Sequence, residues 1–315
     1  MDMDKGTDGY FESYEDLEVH RIMLEDKRRC EAYSKAILDN PHVFRDKTVM
    51  DLGAGTGILS LLCAKSGAGK VYAVEAAKGM IPVLKATIEE NGFTDVIRVV
   101  ESAVEDVVLD EKVDVIVSEW MGFTLLHEGM LSSVVNAKHR LLKPDGILIP
   151  DTCELFVSLT RAPSLLGTYE DVLGVDMSHF GREWRSLFDG KPMIDTLDMT
   201  KDSIVSEPMS ILKFDIAKLN EEDLLHLKKR IRLVVNKEQT QCDALCLWFE
   251  VTLMGEVLST SPFLPATHWK QTLITFPDQL NVVKGNTVEF DMSMTQEKKR
   301  RYIITVENIE WKESV

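Results

Sequence analysis

The stretch Val49-Met50-Asp51-Leu52-Gly53-Ala54-Gly55-Thr56-Gly57-Ile58-Leu59-Ser60 leads an apolar strand into a glycine-rich turn that opens directly into a helix. Glycines permit positive φ and let a ligand approach the backbone closely, and the helix start presents unpaired amides. The run fits a pyrophosphate fingerprint poorly and lacks the Gly-Lys-Ser/Thr of a P-loop. A carboxylate at Asp51 would repel a pyrophosphate but could accept a hydrogen bond from an ammonium group. The turn therefore indicates an adenosine cofactor with an amino-acid end, such as S-adenosylmethionine.

Further carboxylates follow the next two predicted strands. Lys70-Val71-Tyr72-Ala73-Val74-Glu75 is a predicted buried strand, and Glu75 comes 24 residues after Asp51, where a Rossmann-type unit places the acid that holds the ribose hydroxyls. Ile58 to Ser66 is the predicted crossover helix. Val99 to Asp106 supplies a third strand and an acidic loop in which Glu105 suits an exocyclic adenine amine. The three acids are thus predicted to surround one nucleoside; the alternative is that Glu75 and Glu105 are solvated charges at strand ends.

Size and charge restrict the class of protein. A chain of 315 residues exceeds a usual single core, so we expect two domains. The net charge of −16 and the pI of about 4.9 argue against DNA or an anionic membrane as the main partner and favour cationic ligands such as basic peptides. The acidic start Met1-Asp2-Met3-Asp4-Lys5 has no leader pattern, and no apolar run reaches membrane-spanning length. We therefore expect a cytoplasmic or nuclear protein.

The cysteines, histidines and one basic run give weaker signals. The five cysteines are scattered, which predicts reduced and mostly buried thiols, and none of the seven histidines forms a metal-binding pattern with another. No metal is expected. Lys298-Lys299-Arg300-Arg301 could be a nuclear signal, but a solvated hairpin turn between strands is the favoured interpretation.

The pattern along the chain changes at Pro150. Residues 9 to 40 are predicted to be helical, stopping at Asn40-Pro41, and alternating strand and helix signals up to Pro150 predict a doubly wound α/β domain. Strand-like runs dominate afterwards and predict a β-barrel or sandwich: Glu154 to Thr160, Ser210 to Asp215, Ile231 to Val235, Ala244 to Thr252, Thr287 to Met294 and Tyr302 to Glu310. An aromatic-bearing insertion between Ala162 and Lys201 is either an exposed arm that binds a partner or a locally packed lid.

Two glutamates follow the fourth predicted strand, Val113 to Ser118. Glu119 and Glu128 are nine residues apart with Gly122 between them, so a hairpin could bring their carboxylates together at the cofactor side of the sheet. Converging acids are unfavourable unless a cation balances them, and a guanidinium offers a planar fork of donors to two carboxylates. The alternative is that Glu119 caps a local element and Glu128 is exposed at a helix start.

The chain resembles a protein arginine N-methyltransferase over nearly its whole length, from Tyr10 to Trp311. Four segments in order carry the resemblance: Tyr10-Phe11-Glu12-Ser13-Tyr14, the glycine turn, Ser118 to Met130, and Thr267-His268-Trp269-Lys270-Gln271-Thr272. The resemblance implies a Rossmann-type class I methyltransferase domain at 41–150, preceded by a helical segment at 1–40 that covers the cofactor. It also implies a β-barrel substrate domain at 151–315 with a dimerisation arm inserted at about 162–201.

The resemblance also implies roles for individual residues. Those implied in catalysis are Glu119 and Glu128 as a clamp on the substrate guanidinium, with His268 paired to Asp26 nearby. Those implied in binding S-adenosylmethionine are His20, Met23, Arg29, Asp51, Gly53, Gly55, Glu75, Val104 and Glu105, with Arg29 on the methionine carboxylate. Those implied in substrate binding are Tyr14, Met23, Met130 and Trp269.

The same resemblance implies the partners and the product. The substrates would be arginine-containing basic proteins, such as glycine-arginine-rich segments or histone tails, and the oligomer a homodimer, with no direct nucleic acid or membrane partner. Met23 and Met130 imply monomethyl and asymmetric dimethyl arginine, because a flexible thioether leaves room for a second methyl on one nitrogen.

The chain departs from the family pattern at a few positions. Phe123 and His127 stand where tyrosines are common, and Arg21-Ile22 where acids are common. Besides an active arginine methyltransferase, two alternatives therefore remain at this stage: a weak or inactive regulatory subunit of the same fold, and a small-molecule methyltransferase, which leaves the double-glutamate loop unexplained.

Overall fold

A computed structural model of the chain describes residues 7–161, 169–187, 192–197 and 199–313. Its helices are α1 (Thr7–Ser13), α2 (Leu17–Glu25), α3 (Lys27–Leu38), α4 (Pro41–Phe44), α5 (Ile58–Lys65), α6 (Met80–Glu90), α7 (Met130–Leu141) and α8 (Ser178–Ser186). No helix within these ranges is both long and apolar enough to span a bilayer.

Five parallel strands form the first sheet. They are β1 (Thr48–Leu52), β2 (Lys70–Glu75), β3 (Ile97–Glu101), β4 (Val113–Ser118) and β5 (Leu142–Ile149), in the order β3-β2-β1-β4-β5. Strands β1, β2 and β4 are mostly apolar and almost wholly buried, as parallel strands with covered faces require. The strand order reverses between β1 and β4, and ligands of such sheets bind at that point, beyond the carboxyl ends of the strands.

Antiparallel strands form the second half of the chain. They are β6 (Thr152–Thr160), β7 (Pro192–Leu197), β8 (Met209–Asp215), β9 (His226–Val234), β10 (Gln239–Leu253), β11 (Glu256–Ser259), β12 (Gln271–Val283), β13 (Thr287–Lys298) and β14 (Arg301–Lys312). One sheet has the order β7-β12-β10-β6-β8 with β11 on β10, and the other has the order β14-β13-β9. An isolated bridge between Ser206 and Val235 joins the segment that enters β8 to the one that leaves β9.

One apolar core runs through both halves. The same buried cluster contains Tyr33 of α3, Val117 of β4, Phe249 of β10 and Phe290 of β13. At the junction, the Lys138 ammonium on α7 donates to main-chain carbonyls that follow β8. The predicted α/β region followed by a β domain is therefore observed, and its two parts are packed together rather than linked loosely.

The structure corrects several local predictions. The predicted helical segment 9–40 is interrupted between Ser13 and Leu17, where Asp16 is the N-cap of α2 and accepts from the Glu18 amide. Helix α3 ends at Leu38, just before the predicted stop at Asn40-Pro41, and the separate short helix α4 begins at Pro41, where a missing N–H costs nothing. Strands β7, β11 and β12 were not predicted.

The predicted arm is also shorter at its C-terminal end. Residues 162–168, 188–191 and 198 lie outside the described residues, but Pro192–Leu197 already pairs with β12 as an edge strand. The described part of the insertion, 169–187, carries α8. Its exposed apolar side chains include Leu173, Phe180 and Trp184.

Candidate active site

The glycine turn after β1 has the backbone that its sequence predicts. Gly53, Gly55 and Gly57 all have positive φ, between 53° and 87°. A methyl group at Gly55 would lie 3.1 Å from Cε1 of His20, and one at Gly57 would lie 2.7 Å from Cδ1 of Leu84. Any side chain here would both strain the backbone and displace the helix that covers it. The turn is therefore an open backbone cradle, with His20 of α2 lying over it.

Glu75 is tied to that cradle at the end of β2. Its Oε2 accepts from the Gly55 amide at 2.7 Å, and its Oε1 accepts from the Ala77 amide at 2.7 Å. Each carboxylate oxygen has a further lone pair, so a diol could be bound without breaking either contact. This geometry fits the predicted ribose acid.

Asp51 lies beneath the cradle rather than on its surface. It is completely buried, and its Oδ2 accepts from the Ser60 hydroxyl at 2.7 Å. The other oxygen, Oδ1, has no hydrogen-bond partner among the described residues. Burial raises the pKa of Asp51 to about 7 although Ser60 acts in the opposite direction. A contact from Asp51 to a ligand ammonium stays a prediction.

Glu105 lies in a 3₁₀ turn, Val104–Asp106, where Val104 is buried. Its Oε1 receives three donors: the Ser133 hydroxyl at 2.7 Å, the Lys299 ammonium at 3.2 Å and the Arg300 guanidinium at 3.4 Å. Burial opposes ionisation of Glu105, but the Ser133 hydrogen bond and the nearby Arg300 and Lys299 hold its pKa below the usual range. The charged form is therefore favoured, as an acceptor for an amine requires.

The double-glutamate loop is a tight hairpin. Gly122 and Leu125 exchange two backbone hydrogen bonds, and a side chain at Gly122 would collide with the His127 carbonyl. Glu128 has a φ of 71°, and Gly129 continues the left-handed turn with a φ of 64° before α7 begins. This region is strained for a residue other than glycine, so the hairpin holds Glu128 in an unfavourable backbone conformation.

Glu119 follows β4 directly and is paired inside the protein. Its Oε2 accepts from Nε of Arg29 at 3.0 Å, and the two side chains are only 10% and 8% exposed. NH1 of Arg29 also donates to the Met23 carbonyl at 3.1 Å. The Arg29 guanidinium thus links α2 and α3 to the clamp loop, which is the double-glutamate loop from Glu119 to Glu128. Met23 contributes its main chain to this junction.

Glu128 is held from the N-terminal segment. Its Oε2 accepts from the Tyr14 hydroxyl at 2.7 Å. Burial raises the pKa of Tyr14 well above its usual value, and both Glu128 and Glu119 raise it further through space. Both carboxylates therefore disfavour ionisation of the same phenol, and their convergence on a guanidinium stays a prediction. Nδ1 of His127 lies 3.6 Å from the other oxygen of Glu128.

His268 is joined to the N-terminal helices through Asp26. Oδ2 of Asp26 accepts from Nδ1 of His268 at 2.7 Å and from its amide at 2.9 Å, while Oδ1 caps α3 by accepting from the Arg29 amide. Burial opposes ionisation of Asp26, but the hydrogen bonds from His268 hold its pKa below the usual value. The predicted pair is present in the structure.

Two predictions are wrong in detail. Trp269 was expected to contact substrate, but it is 3% exposed and its indole N–H donates to the Met121 carbonyl at 2.8 Å. It supports the clamp loop from the core instead. The basic run 298–301 is a turn between β13 and β14, as predicted, but it is not fully solvated, because the Arg300 side chain is only 7% exposed.

Most of the predicted site residues lie around the glycine cradle and the clamp loop. Met130 places its methyl 3.8 Å from a Cβ built on Gly53, so α7 starts against the cradle. Sequence reasoning missed Tyr10, Tyr33, Ser133 and Arg300, which hold the predicted residues in place. Tyr33, for example, donates to the Ser118 carbonyl at 2.9 Å. In the described residues, no group of three or more metal-binding side chains is gathered.

Comparisons with known proteins agree with this geometry. Residues 49–146 match a methyltransferase domain family, and residues 151–311 match the arginine methyltransferase oligomerization subdomain. The chain is 37% identical over 305 residues to probable protein arginine N-methyltransferase 3 of Arabidopsis thaliana, covering 90% of this chain but only 50% of that relative. It is 36% identical over 321 residues to protein arginine N-methyltransferase 6 of Danio rerio, covering 98% of this chain and 91% of the relative.

Solved structures show the same likeness over the whole chain. The Trypanosoma brucei PRMT1 enzyme-prozyme heterotetrameric complex with AdoHcy has a TM-score of 0.84 and 32% identity, covering 96% of this chain and 95% of that one. Protein arginine methyltransferase 10 of Arabidopsis thaliana has a TM-score of 0.85 and 30% identity, covering 97% and 96%.

Proposed function

This chain belongs to the protein arginine N-methyltransferase family, and from that premise we propose that it transfers methyl groups from S-adenosylmethionine to guanidino nitrogens of arginine in proteins. The observation that carries the proposal is the hairpin of Glu119 to Glu128. It presents two carboxylates beyond the end of β4, at the point where the strand order reverses. A donor-only, planar cation is the ligand that such a pair selects.

The chain's own residues supply what a guanidinium lacks as a nucleophile. Its pKa lies above about 12 and its lone pairs are delocalised. Charge on Glu119 and Glu128 would draw the positive charge toward the nitrogens that they bind and aim the remaining nitrogen at the cofactor. Orientation of this kind lowers a barrier substantially, and preorganised charge in a water-poor site adds to it.

The cofactor would lie along the cradle. Glu75 would hold the ribose, Glu105 and Val104 would contact the adenine, and Arg29 would meet the methionine carboxylate, with His20 and Met23 above. When bound, S-adenosylmethionine supplies an electrophilic methyl group on sulfur. The cradle has the open glycine backbone and the anchored acid that this ligand requires.

The proton that leaves the guanidinium has two possible routes. Nδ1 of His268 is engaged by Asp26, so its Nε2 is the nitrogen that could accept a proton. Release to water is the alternative. The Asp26–His268 pair also pins the N-terminal helices to the β domain, a role that would persist if it took no part in proton transfer.

We further propose monomethyl and asymmetric dimethyl arginine as the products. Met23 and Met130 would lie around the acceptor nitrogen, where flexible thioethers leave room for a second methyl on the same atom. The substrates proposed are glycine-arginine-rich segments or histone tails, which suit a chain of net charge −16. A homodimer built through the arm, and a cytoplasmic or nuclear location, complete the proposal.

One observation favours a second candidate, a catalytically weak regulatory subunit. His127 stands where a tyrosine is common in the family, and its buried Nδ1 lies 3.6 Å from Glu128 with no hydrogen-bond partner among the described residues. An imidazole this close to Glu128 would compete with the substrate guanidinium for that carboxylate.

Transfer of tritium from labelled S-adenosylmethionine tests the function. We expect label in a glycine-arginine-rich peptide, none in the same peptide with lysine at every arginine, and none in a panel of free small-molecule acceptors. Label only in small molecules would contradict the proposal. Cofactor binding without transfer to any peptide would favour the regulatory subunit. Fragmentation of the labelled peptide identifies the product, and a symmetric neutral loss alone would refute the asymmetric assignment.

A further inference from the structure

Arg300 is the one buried arginine of the basic turn between β13 and β14. Its side chain is 7% exposed, whereas that of its neighbour Arg301 is 36% exposed and paired with Glu297. Burying a guanidinium is costly unless it is bound by several partners. The surroundings of Arg300 must therefore account for its position.

One of its partners is the acid predicted to bind adenine, and the other is a methionine predicted to lie at the acceptor nitrogen. NH2 of Arg300 lies 3.4 Å from Oε1 of Glu105, and NH1 lies 3.0 Å from the sulfur of Met130. The turn is held against α7 by close packing, since any side chain at Gly129 would collide with the Lys299 carbonyl. A hairpin from the β domain thus reaches the cofactor domain at its adenine-binding acid.

The Arg300 guanidinium also contacts the N-terminal segment. Its Cζ lies 4.9 Å from the ring centre of Tyr10 and 5.8 Å from that of Phe11, within cation–π range. Tyr10 in turn packs 5.2 Å from Tyr14. Arg300 therefore connects α1 to Glu105.

Three donors converge on one carboxylate oxygen of Glu105. Ser133, Lys299 and Arg300 all act on Oε1, which fixes the plane of the carboxylate and directs its charge. In addition, Nε of Arg300 is buried without an acceptor among the described residues. Unpaired buried donors are rare in native proteins, and a purine ring offers acceptor nitrogens.

Resting on the proposed function, we propose that Arg300 is a positioning residue that makes the cofactor site specific for adenine. It orients Glu105 to accept from the exocyclic amine and holds α1 as the wall beside it. A hypoxanthine base tests this directly, because it presents a carbonyl in place of the amine and a ring N–H in place of the acceptor nitrogen. The Glu105 carboxylate would repel that carbonyl.

Calorimetry with S-adenosylhomocysteine and S-inosylhomocysteine on the full chain measures the preference. We expect the parent to bind the adenosyl compound at least tenfold more tightly. Arg300→Ala should reduce that preference to about threefold or less, and Glu105→Ala should remove it. The matched control, Arg301→Ala, should keep the parent's preference. Arg300→Lys retains a cation without the planar fork and should give an intermediate ratio; it also serves if Arg300→Ala does not fold.

The ratio separates positioning from a merely structural role. If Arg300→Ala weakened both compounds equally and kept the parent's preference, or if the parent showed no preference, the assignment would be overturned. Binding needs no turnover, so a parent that prefers adenine but transfers no methyl would contradict the proposed function and leave the role of Arg300 intact. A parent that binds neither compound would overturn both.

Discussion

Nε of Arg29 donates to Oε2 of Glu119 at 3.0 Å, so one of the two clamp carboxylates is already balanced by a guanidinium of the chain itself. The substrate cation would join this pair rather than replace it. A second carboxylate, Glu128, is then needed because Glu119 alone carries no uncompensated charge. Arg29, the predicted cofactor contact, and Glu119, the predicted substrate contact, are therefore the two partners of one ion pair.

The Arg29–Glu119 pair is expected to matter for folding. Arg29→Ala should lower the free energy of unfolding by about 3 kcal/mol, since it leaves a buried carboxylate without its partner. Combining it with Glu119→Gln should recover part of that loss. Urea unfolding measures both. Arg21→Ala, which removes exposed ion pairs with Glu18 and Glu25, is the control and should leave the free energy of unfolding nearly unchanged. Additive effects in the double variant would argue against the pair.

Glu128→Gln should abolish turnover and leave cofactor affinity unchanged. The amide turns one acceptor into a donor aimed at a donor-only guanidinium, and such a loss of about 3 to 5 kcal/mol slows the step by about two to three and a half orders of magnitude. Single-turnover rates under saturating cofactor provide the measurement. The exposed Glu31→Gln on α3 is the control. A rate within about threefold of the parent would mean that the loop is not the clamp. A substitution at an exposed position changes free energies by only about 0.5 kcal/mol, which corresponds to a small change in rate.

Glu75→Ala should weaken S-adenosylmethionine binding by about 1.5 to 3 kcal/mol, roughly ten- to a hundredfold. The change removes the proposed ribose acceptor and also frees the Gly55 amide that shapes the cradle. Calorimetric titration gives the affinity. Glu90→Ala, at the exposed end of α6, should bind as the parent does. Unchanged affinity in Glu75→Ala would overturn the ribose assignment.

Asp51→Asn should change how stability depends on pH. Burial raises the pKa of Asp51 to about 7, so its contribution is present at low pH and is lost as pH rises through that value. Between pH 5 and pH 8 the free energy of unfolding of the parent should fall by about 2 kcal/mol more than that of the variant. Urea titrations at both pH values measure the difference, with the exposed Asp95→Asn as control. Equal pH dependence in parent and variant would show that Asp51 is charged throughout.

The arm is expected to hold the oligomer together. Phe180 and Trp184 are four residues apart on α8, so they share one face, and they are 48% and 38% exposed. The double variant Phe180→Asp with Trp184→Asp should halve the mass seen by light scattering. Val108→Asp changes an equally apolar side chain that is 87% exposed outside the arm, and it should not. An unchanged mass in the double variant would contradict the arm assignment.

Local features of this site were predictable from the sequence, and distant ones were not. The glycine turn, Glu75 and the Gly122 hairpin depend on neighbours within a few residues or on strand ends that meet at one sheet edge. Arg300 lies 195 residues from Glu105, and the charge run around it is typical of a solvated turn. The prediction for Trp269 was wrong for the same reason, since only the folded chain shows that its indole N–H donates to the Met121 carbonyl.

The left-handed backbone at Glu128 has an evolutionary consequence. Glycine or asparagine would relax φ at this position, so the residue that we propose for turnover is one that the fold alone would not choose. A gene duplicate released from selection for methyl transfer would therefore gain stability by its first inactivating step. Such a copy would keep the glycine cradle and the aromatic arm. Gene duplication would then yield an inactive companion subunit rather than the loss of the copy.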